Sequence, residues 1–451
     1  MENLLSTGIA DAFAKALQAG LVRKEDSSLI FYDLSYFEQR IHQLQDMFPP
    51  DSLHGLAIKA CPLAGIMKLA GVMGCGVEAA SIGEVNLALE LGFDPWMIVY
   101  DSPVKTREEL EFALKQGIHL NLDNFSELER VKVLLDRGIT GRGHTGNTET
   151  GSKIGIRVNP QVGDGTILES SVAGEYSKFG VPLKFRRKEL IDAFLNHDFL
   201  RGVHLHVGSQ GCSPELLVEG VGKLYDLMLE INDLSFERKG FRQVSRFDIG
   251  GGLPVSYEKE HEPVSMKEYV VALRKRAPLL FPDGPGKPGS APGSVSGIKL
   301  ITEFGRWTYT NAGWAISRVE YVKHDPLVNT AMIHVGADLF LRECLNPRDW
   351  KHEYTVLDRD GRIRTGNSEN PWNLAGPLCF SGDILAKGLT LPPVEEGDYI
   401  VIHDSGSYTF SMWSRYNSRF APRILGYRDG GKSFELIRER ETMDDIMRFW
   451  T

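Results

Sequence analysis

Cysteine is scarce in this sequence. Its 451 residues hold five, Cys61, Cys75, Cys212, Cys344 and Cys379. The number is odd, the positions are scattered and no CxxC pair occurs. A disulfide framework or a structural zinc site is therefore not expected, and a reducing cytoplasm fits best. Long apolar runs are missing too: none approaches the roughly 18 residues that suggest a membrane span. The opening MENLLSTGIADAFAKAL lacks a basic start followed by an apolar core. Glu2, Asp11 and Lys15 interrupt it at helical spacing, so it does not read as a secretion signal. Nor is there an excess of positive charge. Lys and Arg number 51 against 60 Asp and Glu, a net charge of -9, which argues against a nucleic-acid partner. The expectation is a soluble cytoplasmic protein, with neither membrane nor nucleic acid as partner.

What the sequence has in quantity is alternation between short apolar strands and amphipathic helices. Strand patterns fall at HGLAIK (54–59), GCGVEAAS (74–81), WMIVYDS (96–102), HLNLD (119–123), KIGIRVN (153–159), GVHLHVGS (202–209), RFDIGG (246–251) and KLITEFG (299–305). Helical patterns separate them, such as GEVNLALELG after the second and SELERVKVLLDRG after the fourth. Eight strands with intervening helices predict an α/β fold, a (β/α)8 TIM-type barrel. A doubly wound open sheet would not usually need eight parallel strands.

After about residue 310 the helical alternation stops. AISRVEYVKH, AMIHVGA, YTVLD, DYIVIHD and RILGY read as short strands separated by turns, so a C-terminal β-rich domain is expected. SLIFYDL (28–34) is a further strand ahead of the barrel and is a candidate for the same sheet. The expected division is a barrel over 36–308 and a β-rich domain built from 1–35 and 309–451. GRGHTGNTETGS (141–152) and PDGPGKPGSAPGSVSG (282–297) carry no periodic apolar face and read as mobile loops.

In a barrel the chemistry gathers at the C-terminal ends of the strands. Those ends carry Lys59, Glu78 and Ser81, Asp101, Asp123, Arg157, His206 and Ser209, Gly250 to Gly252, and Glu303 to Arg306. Polar residues naturally start loops, so any one of these is unremarkable alone; eight together are harder to dismiss. Lys59 sits in an otherwise apolar strand, where it either snorkels or is desolvated enough to lose its proton and form a Schiff base. Gly250, Gly251 and Gly252 after strand seven, with Gly305 and Arg306 after strand eight, suit a phosphate. His204 and His206 lie on one strand face, at i and i+2. A metal pair is the less favoured reading. His204 reads as satisfied inside the barrel, and His206 as an aromatic platform under a planar cofactor.

LAIKA, VEAASIGE, SKFG, HLHVGSQ, DIGGG, EFGR, GPLCFSGD (376–383) and SYTFSMWSRYN (407–417) stand in the order seen in diaminopimelate and ornithine decarboxylases. The sequence resembles that family from about residue 28 to 427. The resemblance implies a pyridoxal 5'-phosphate enzyme of the alanine-racemase-like barrel class, closest to diaminopimelate decarboxylase. It implies a homodimer with shared active sites, acting on a small-molecule amino acid. By the same resemblance Lys59 bears the cofactor, His206 stacks on its ring and Ser209 lies near its polar edge. Gly250, Gly251, Gly252, Gly305, Arg306 and Tyr408 hold the phosphate, and Glu303 pairs with the pyridine nitrogen. Cys379 enters from the partner subunit and handles a proton at the substrate's α-carbon. Glu78 and Arg157 join the cofactor site from their strand ends. A carboxylate at position 303 keeps the ring nitrogen protonated and favours decarboxylation, whereas racemases of this fold resemble a version with arginine there.

The pattern breaks after the loop cysteine. The family usually carries an acid there, paired with an ammonium at the far end of the substrate; this chain has Phe380. A phenyl ring cannot replace a charge-assisted hydrogen bond. Either the substrate has no such ammonium, or Asp383 or Glu343 takes over. Arg342, in ADLFLRECLNP (337–347), matches the family's arginine for a distal carboxylate. A retained arginine with a lost acid points to a substrate whose far end is anionic or conjugated.

Overall fold

The computed structural model describes residues 2–140, 152–258, 264–282 and 297–451. The two expected loops fall almost wholly outside the described residues. A first strand, β1 (Ser28–Asp33), precedes the barrel. The next nine are β2 (Leu53–Ala57), β3 (Gly76–Ala79), β4 (Ile98–Asp101), β5 (His119–Leu122), β6 (Ile154–Asn159), β7 (Val181–Pro182), β8 (Leu200–His204), β9 (Arg246–Asp248) and β10 (Lys299–Thr302). Eight of these pair in parallel in the order β5-β4-β3-β2-β10-β9-β8-β6, and β5 pairs β6 to close the ring. The two-residue β7 lies outside the ring, beside β6. Closure removes the sheet's edges, so all eight strands bury both faces and read as near-continuous apolar runs.

The helices between them start and stop on local chemistry. Thr106 and Glu109 form a reciprocal capping box at the head of helix Arg107–Gln116, and Gly117 ends it at φ 82°. Ser81 caps Ile82–Glu90 and Ser213 caps Pro214–Lys239.

The second sheet comprises β11 (Gly313–His324), β12 (Asn329–Ile333), β13 (Tyr354–Leu357), β14 (Trp372–Ala375), β15 (Ile384–Leu389), β16 (Tyr399–Ile402), β17 (Arg423–Arg428) and β18 (Ser433–Arg438), together with β1. Here β1 runs antiparallel to β11 and parallel to β17. Helix Arg306–Tyr309 and a turn over Thr310–Ala312 lead from barrel to sheet. We place the domain boundary at residues 308 and 309, within that connection. The sequence reading overlooked β14, β15 and β18, which are short or largely exposed and carry little alternation.

Several barrel strands stop earlier than their apolar runs suggest, and this matters for the site. β2 ends at Ala57, so Lys59 sits in a 3-10 turn beyond it, not inside a strand. β8 ends at His204, β9 at Asp248 and β10 at Thr302. His206, the glycine triplet and Glu303 therefore occupy the strand exits, where the backbone is free to turn.

The second sheet is fastened to the barrel mouth by backbone contact. Tyr408 donates its amide to the Ala60 carbonyl at 2.9 Å; within the second domain the Tyr32 hydroxyl of β1 donates to the Gly406 carbonyl at 2.8 Å. A Cβ on Gly406 would stand 2.0 Å from the Tyr309 carbonyl oxygen. Gly406→Ala should therefore destabilise the fold by about 1–3 kcal/mol. A thermal melt checks this; an unchanged midpoint would show that the junction has slack.

Candidate active site

Lys59 leaves the 3-10 turn with its side chain 39% exposed and makes an ion pair with Glu78, whose side chain is fully buried on β3. Burial draws the lysine's pKa down, but the charges of Glu78 and Glu303 outweigh it, and the net shift is upward. The acidic neighbours of the amine thus favour its protonated form and oppose the effect of burial. Burial in turn pushes Glu78 up to about 8.

Behind this pair lies a layer of charge. Arg157 on β6 meets Asp101 on β4 at 2.7 Å, and its guanidinium lies 4.4 Å from the centroid of Phe179. His204 is fully buried, with Nδ1 3.6 Å from Asp101 and Nε2 3.7 Å from Glu303. Neither imidazole nitrogen has a hydrogen-bond partner among the described residues. His204 is therefore not a satisfied core histidine but a buried group faced by acids on both sides.

His206 is of another kind. Gly251 donates its amide to His206 Nδ1 at 3.2 Å, which leaves the proton on Nε2. Burial, with Arg157 and Lys59 nearby, pulls its pKa to about 3. A ring that is neutral at ordinary pH is a flat surface and a donor, not a general acid. The two histidines do not converge as a metal pair would: one faces the acids, the other the Gly251 amide.

The glycine triplet divides by role. Gly250 (φ 64°) donates its amide to Asp248 at 3.0 Å and Gly251 donates to His206, so both amides are already engaged within the chain. Gly252 (φ 98°) passes so close to Gly208 that a Cβ would meet its carbonyl oxygen at 1.9 Å. Gly305 packs its α-carbon against Ala57 and Ala60. Arg306, 3% exposed, donates from Nε to the Ser209 hydroxyl at 3.0 Å and lies 4.5 Å from the ring centroid of Tyr408. Tyr408 holds a left-handed backbone at φ 56°, a strained conformation for a bulky residue.

A cavity of about 530 Å³ joins most of these groups. Lys59, Arg157, His206, Ser209, Glu303, Arg306, Arg342 and Tyr408 line it, with Asp101, Phe179, Leu341, Leu345 and Trp350. Arg342 stacks its guanidinium 4.6 Å from Trp350 and has no ion-pair partner among the described residues. Glu169 also lines the cavity, from a 3-10 turn after β6. Sequence reading missed it, because an acid in an irregular loop carries no periodic or motif signal. Trp350 was missed for the same reason.

The expected catalytic Cys379 and the expected substrate residues Phe380 and Asp383 lie elsewhere. Cys379 is exposed, donates its amide to Asn417 at 2.7 Å and does not line the chain's own cavity. Phe380 beside it is 38% exposed and packs on Tyr416, its ring centroid 6.1 Å away. Asp383 is corrected outright: it is 3% exposed and accepts the amides of Ala337 and Leu378, both at 2.6 Å. Its carboxylate organises the loop and is not available to a substrate. Glu343, the other acid considered, is buried and bonded to His352 at 3.0 Å.

Comparison with known proteins decides the family. Residues 34–309 match the pyridoxal-binding domain of the pyridoxal-dependent decarboxylases. The chain belongs to that family. The diaminopimelate decarboxylase of Methanothermobacter thermautotrophicus is 30% identical over 398 residues, 87% of this chain and 83% of its own length. That of Helicobacter pylori strain J99 is 30% identical over 427 residues, 92% of this chain and 94% of its own. The structure of Helicobacter pylori diaminopimelate decarboxylase complexed with L-lysine aligns with a TM-score of 0.78 at 28% identity, covering 96% of this chain and 99% of that one. The protein is a pyridoxal-phosphate-dependent amino-acid decarboxylase.

The site suits that cofactor on its own terms. Glu303 lines the cavity, yet its Oε1 is buried without a hydrogen-bond donor. A protonated pyridine nitrogen is such a donor. Lys59 offers an amine at the same cavity, His206 a neutral ring, and Arg306 with Ser209 a cation and hydroxyl for a phosphate.

The Lys59–Glu78 pair yields a test. Glu78→Gln removes the largest influence raising the lysine, so at pH 8 Lys59 should react about tenfold faster with an amine-selective acylating reagent, one pKa unit being worth about 1.4 kcal/mol. Peptide mass spectrometry on the cofactor-free protein measures this. Equal or slower labelling would mean that Glu78 does not control the amine.

Proposed function

We propose that the enzyme decarboxylates an amino acid whose far end is anionic, either a diaminopimelate-like compound or a conjugate from a specialised biosynthetic route. The observation that carries this is Arg342, in the cavity wall with no ion-pair partner among the described residues. Partial burial and then Arg306 lower its pKa, but a guanidinium remains charged, and a half-buried cation without an ion-pair partner favours an anionic ligand. Leu341, Leu345, Trp350 and Phe179 line the same cavity and suit a carbon chain.

When bound, pyridoxal phosphate supplies an electron sink for the pair left as CO2 departs. The chain's own residues then have distinct tasks. Lys59 would carry the cofactor on its amine, and Glu78 and Arg157 would balance charge around it. His206 would lie against the ring with its Nε2 proton. Glu303 would face the ring nitrogen. Ser209, Gly252, Gly305, Arg306 and Tyr408 would hold the phosphate, with Gly250 and Gly251 setting the turn that brings Gly252 into place.

We further propose a cytoplasmic homodimer in which Cys379 and Phe380 reach the partner's cavity. Their exposure and their absence from the chain's own cavity support this, as do five free cysteines for a reducing compartment. Among the described residues no helix is long and apolar enough to cross a membrane. Cys379 would then handle the proton at the substrate's α-carbon, and Phe380 would cover its far end.

A second reading, ordinary meso-diaminopimelate decarboxylase of lysine biosynthesis, is favoured by Glu169. This acid lines the cavity and has no ion-pair partner among the described residues, so it offers a distal ammonium what Phe380 cannot.

Mass-spectrometric product detection separates the readings. The cofactor-loaded enzyme is given diaminopimelate isomers, lysine, ornithine, arginine and dicarboxylic analogues. Turnover is expected only where the far end carries a carboxylate. Arg342→Gln should cut kcat/KM on such substrates by about 10²–10³, the cost of losing one buried charge partner. Turnover confined to lysine or ornithine would exclude an anionic far end, and lysine from meso-diaminopimelate alone would favour the second reading. For the dimer, inactive Lys59→Ala and Cys379→Ala chains are mixed and allowed to exchange. Recovery of about a quarter of native activity is expected, since half the dimers would be mixed with one intact site each. No recovery despite exchange would place both residues in one chain's site.

A further inference from the structure

Glu303 can keep a ring nitrogen protonated only while it is itself a carboxylate, and its surroundings work against that. Glu303, Asp101, Asp248 and Glu78 are all buried and crowd one end of the barrel. Like charges so close in a dry interior favour protonation of one of them. The cations near this group besides His204 are each engaged with an acid already: Lys59 with Glu78, Arg157 with Asp101, and Lys105 with Glu127. Asp248 is relieved by its own neighbours: Asn121 donates to it at 3.2 Å and Gly250 at 3.0 Å, and burial with the Glu303 charge raises its pKa. His119, the remaining titratable group near the layer, is drawn to about 3 by burial and adds no charge. Glu303 is left with one counter-charge of its own, His204.

The geometry of His204 fits that task. It is the first residue of HLHVGSQ, fully buried at the end of β8, and it does not line the cavity. Its two nitrogens face two different carboxylates, Asp101 at 3.6 Å and Glu303 at 3.7 Å, and each nitrogen needs a proton to be attracted to its acid. A neutral imidazole would turn a lone pair toward one of them.

We propose that His204 is a positioning cation, an imidazolium bridging Asp101 and Glu303 that holds Glu303 as a carboxylate toward the cofactor's ring nitrogen. With it, Asp101 and Glu303 share a positive charge placed between them. Without it, Glu303 takes up a proton and the ring nitrogen loses its reason to stay charged. This rests on the assignment of Glu303 to the ring nitrogen, which can fail separately.

The test uses enzyme loaded with pyridoxal phosphate 15N-labelled in the ring, followed by NMR from pH 6 to 9. In the native enzyme the ring nitrogen should stay protonated across that range. In His204→Gln it should lose its proton at least one pH unit lower, and kcat should fall about a hundredfold with KM within a few-fold. Glu303→Gln is the control. If it leaves the nitrogen signal native, the Glu303 assignment falls. If it shifts the signal while His204→Gln does not, the role of His204 falls.

Linkage offers a second route should His204→Gln fail to fold. His204 is raised from its ordinary 6.5 to about 9, the acids outweighing burial, so its stabilisation is full below 6.5 and lost as pH rises through about 9. The native melting temperature should fall over that window, and fall less in Glu303→Gln. Equal slopes would overturn the proposal.

Discussion

Burying charge inside a closed barrel is costly, and the rest of this structure follows from how that cost is met. A lone ionised group in a dry interior shifts its pKa and neutralises. Here the ions come in opposed sets: Lys59 with Glu78, Arg157 with Asp101, and His204 between Asp101 and Glu303. They come from different strand ends, β2, β3, β4, β6, β8 and β10; Lys59 and Glu78 meet across neighbouring strands, whereas Arg157 meets Asp101, and His204 meets Asp101 and Glu303, from strands that are not neighbours. A cavity walled by such balanced charges presents a fixed electrostatic environment without needing to rearrange as a substrate binds.

Backbone geometry shapes the same mouth. Gly250 and Gly252 take left-handed conformations that let the β9 exit fold back against the β8 exit, with carbonyl contacts that leave no room for side chains. The second sheet meets this mouth through Tyr408, whose amide reaches the turn that carries Lys59. Tyr408 and Trp350 each stack on both Arg306 and Arg342, so the proposed phosphate and substrate cations share aromatic neighbours. The barrel thus supplies the reactive amine and the charge layer, and the second domain supplies the wall that limits what enters.

Much of this was legible in advance. The eight barrel strands announced themselves as separate apolar runs, because strands buried on both faces have little polar content. Lys59, His206, Glu303 and Arg306 stood at their ends in motifs that resemble a known family. Strand limits were less legible: an apolar run continues past the last ladder hydrogen bond, and so Lys59, Gly250 and Gly251 fell within expected strands that stop short of them. Asp383 was misread because a loop acid beside a functional cysteine looks the same in sequence whether it faces a ligand or two backbone amides. Glu169 and His204 were passed over for opposite reasons, one lying in an irregular loop and the other resembling an ordinary core histidine.

The sequence by itself determined the fold class, the family and the cofactor. These depend on periodicity and on residues held in short, ordered motifs, which are local properties of the chain. Tertiary structure alone decided the state of each group. Whether Lys59 is charged, which nitrogen of His206 bears its proton, whether His204 is an ion and whether Arg342 meets an acid all depend on groups far away along the chain. Electrostatic energy depends on distance in space and on exclusion of water, and neither exists until the barrel closes.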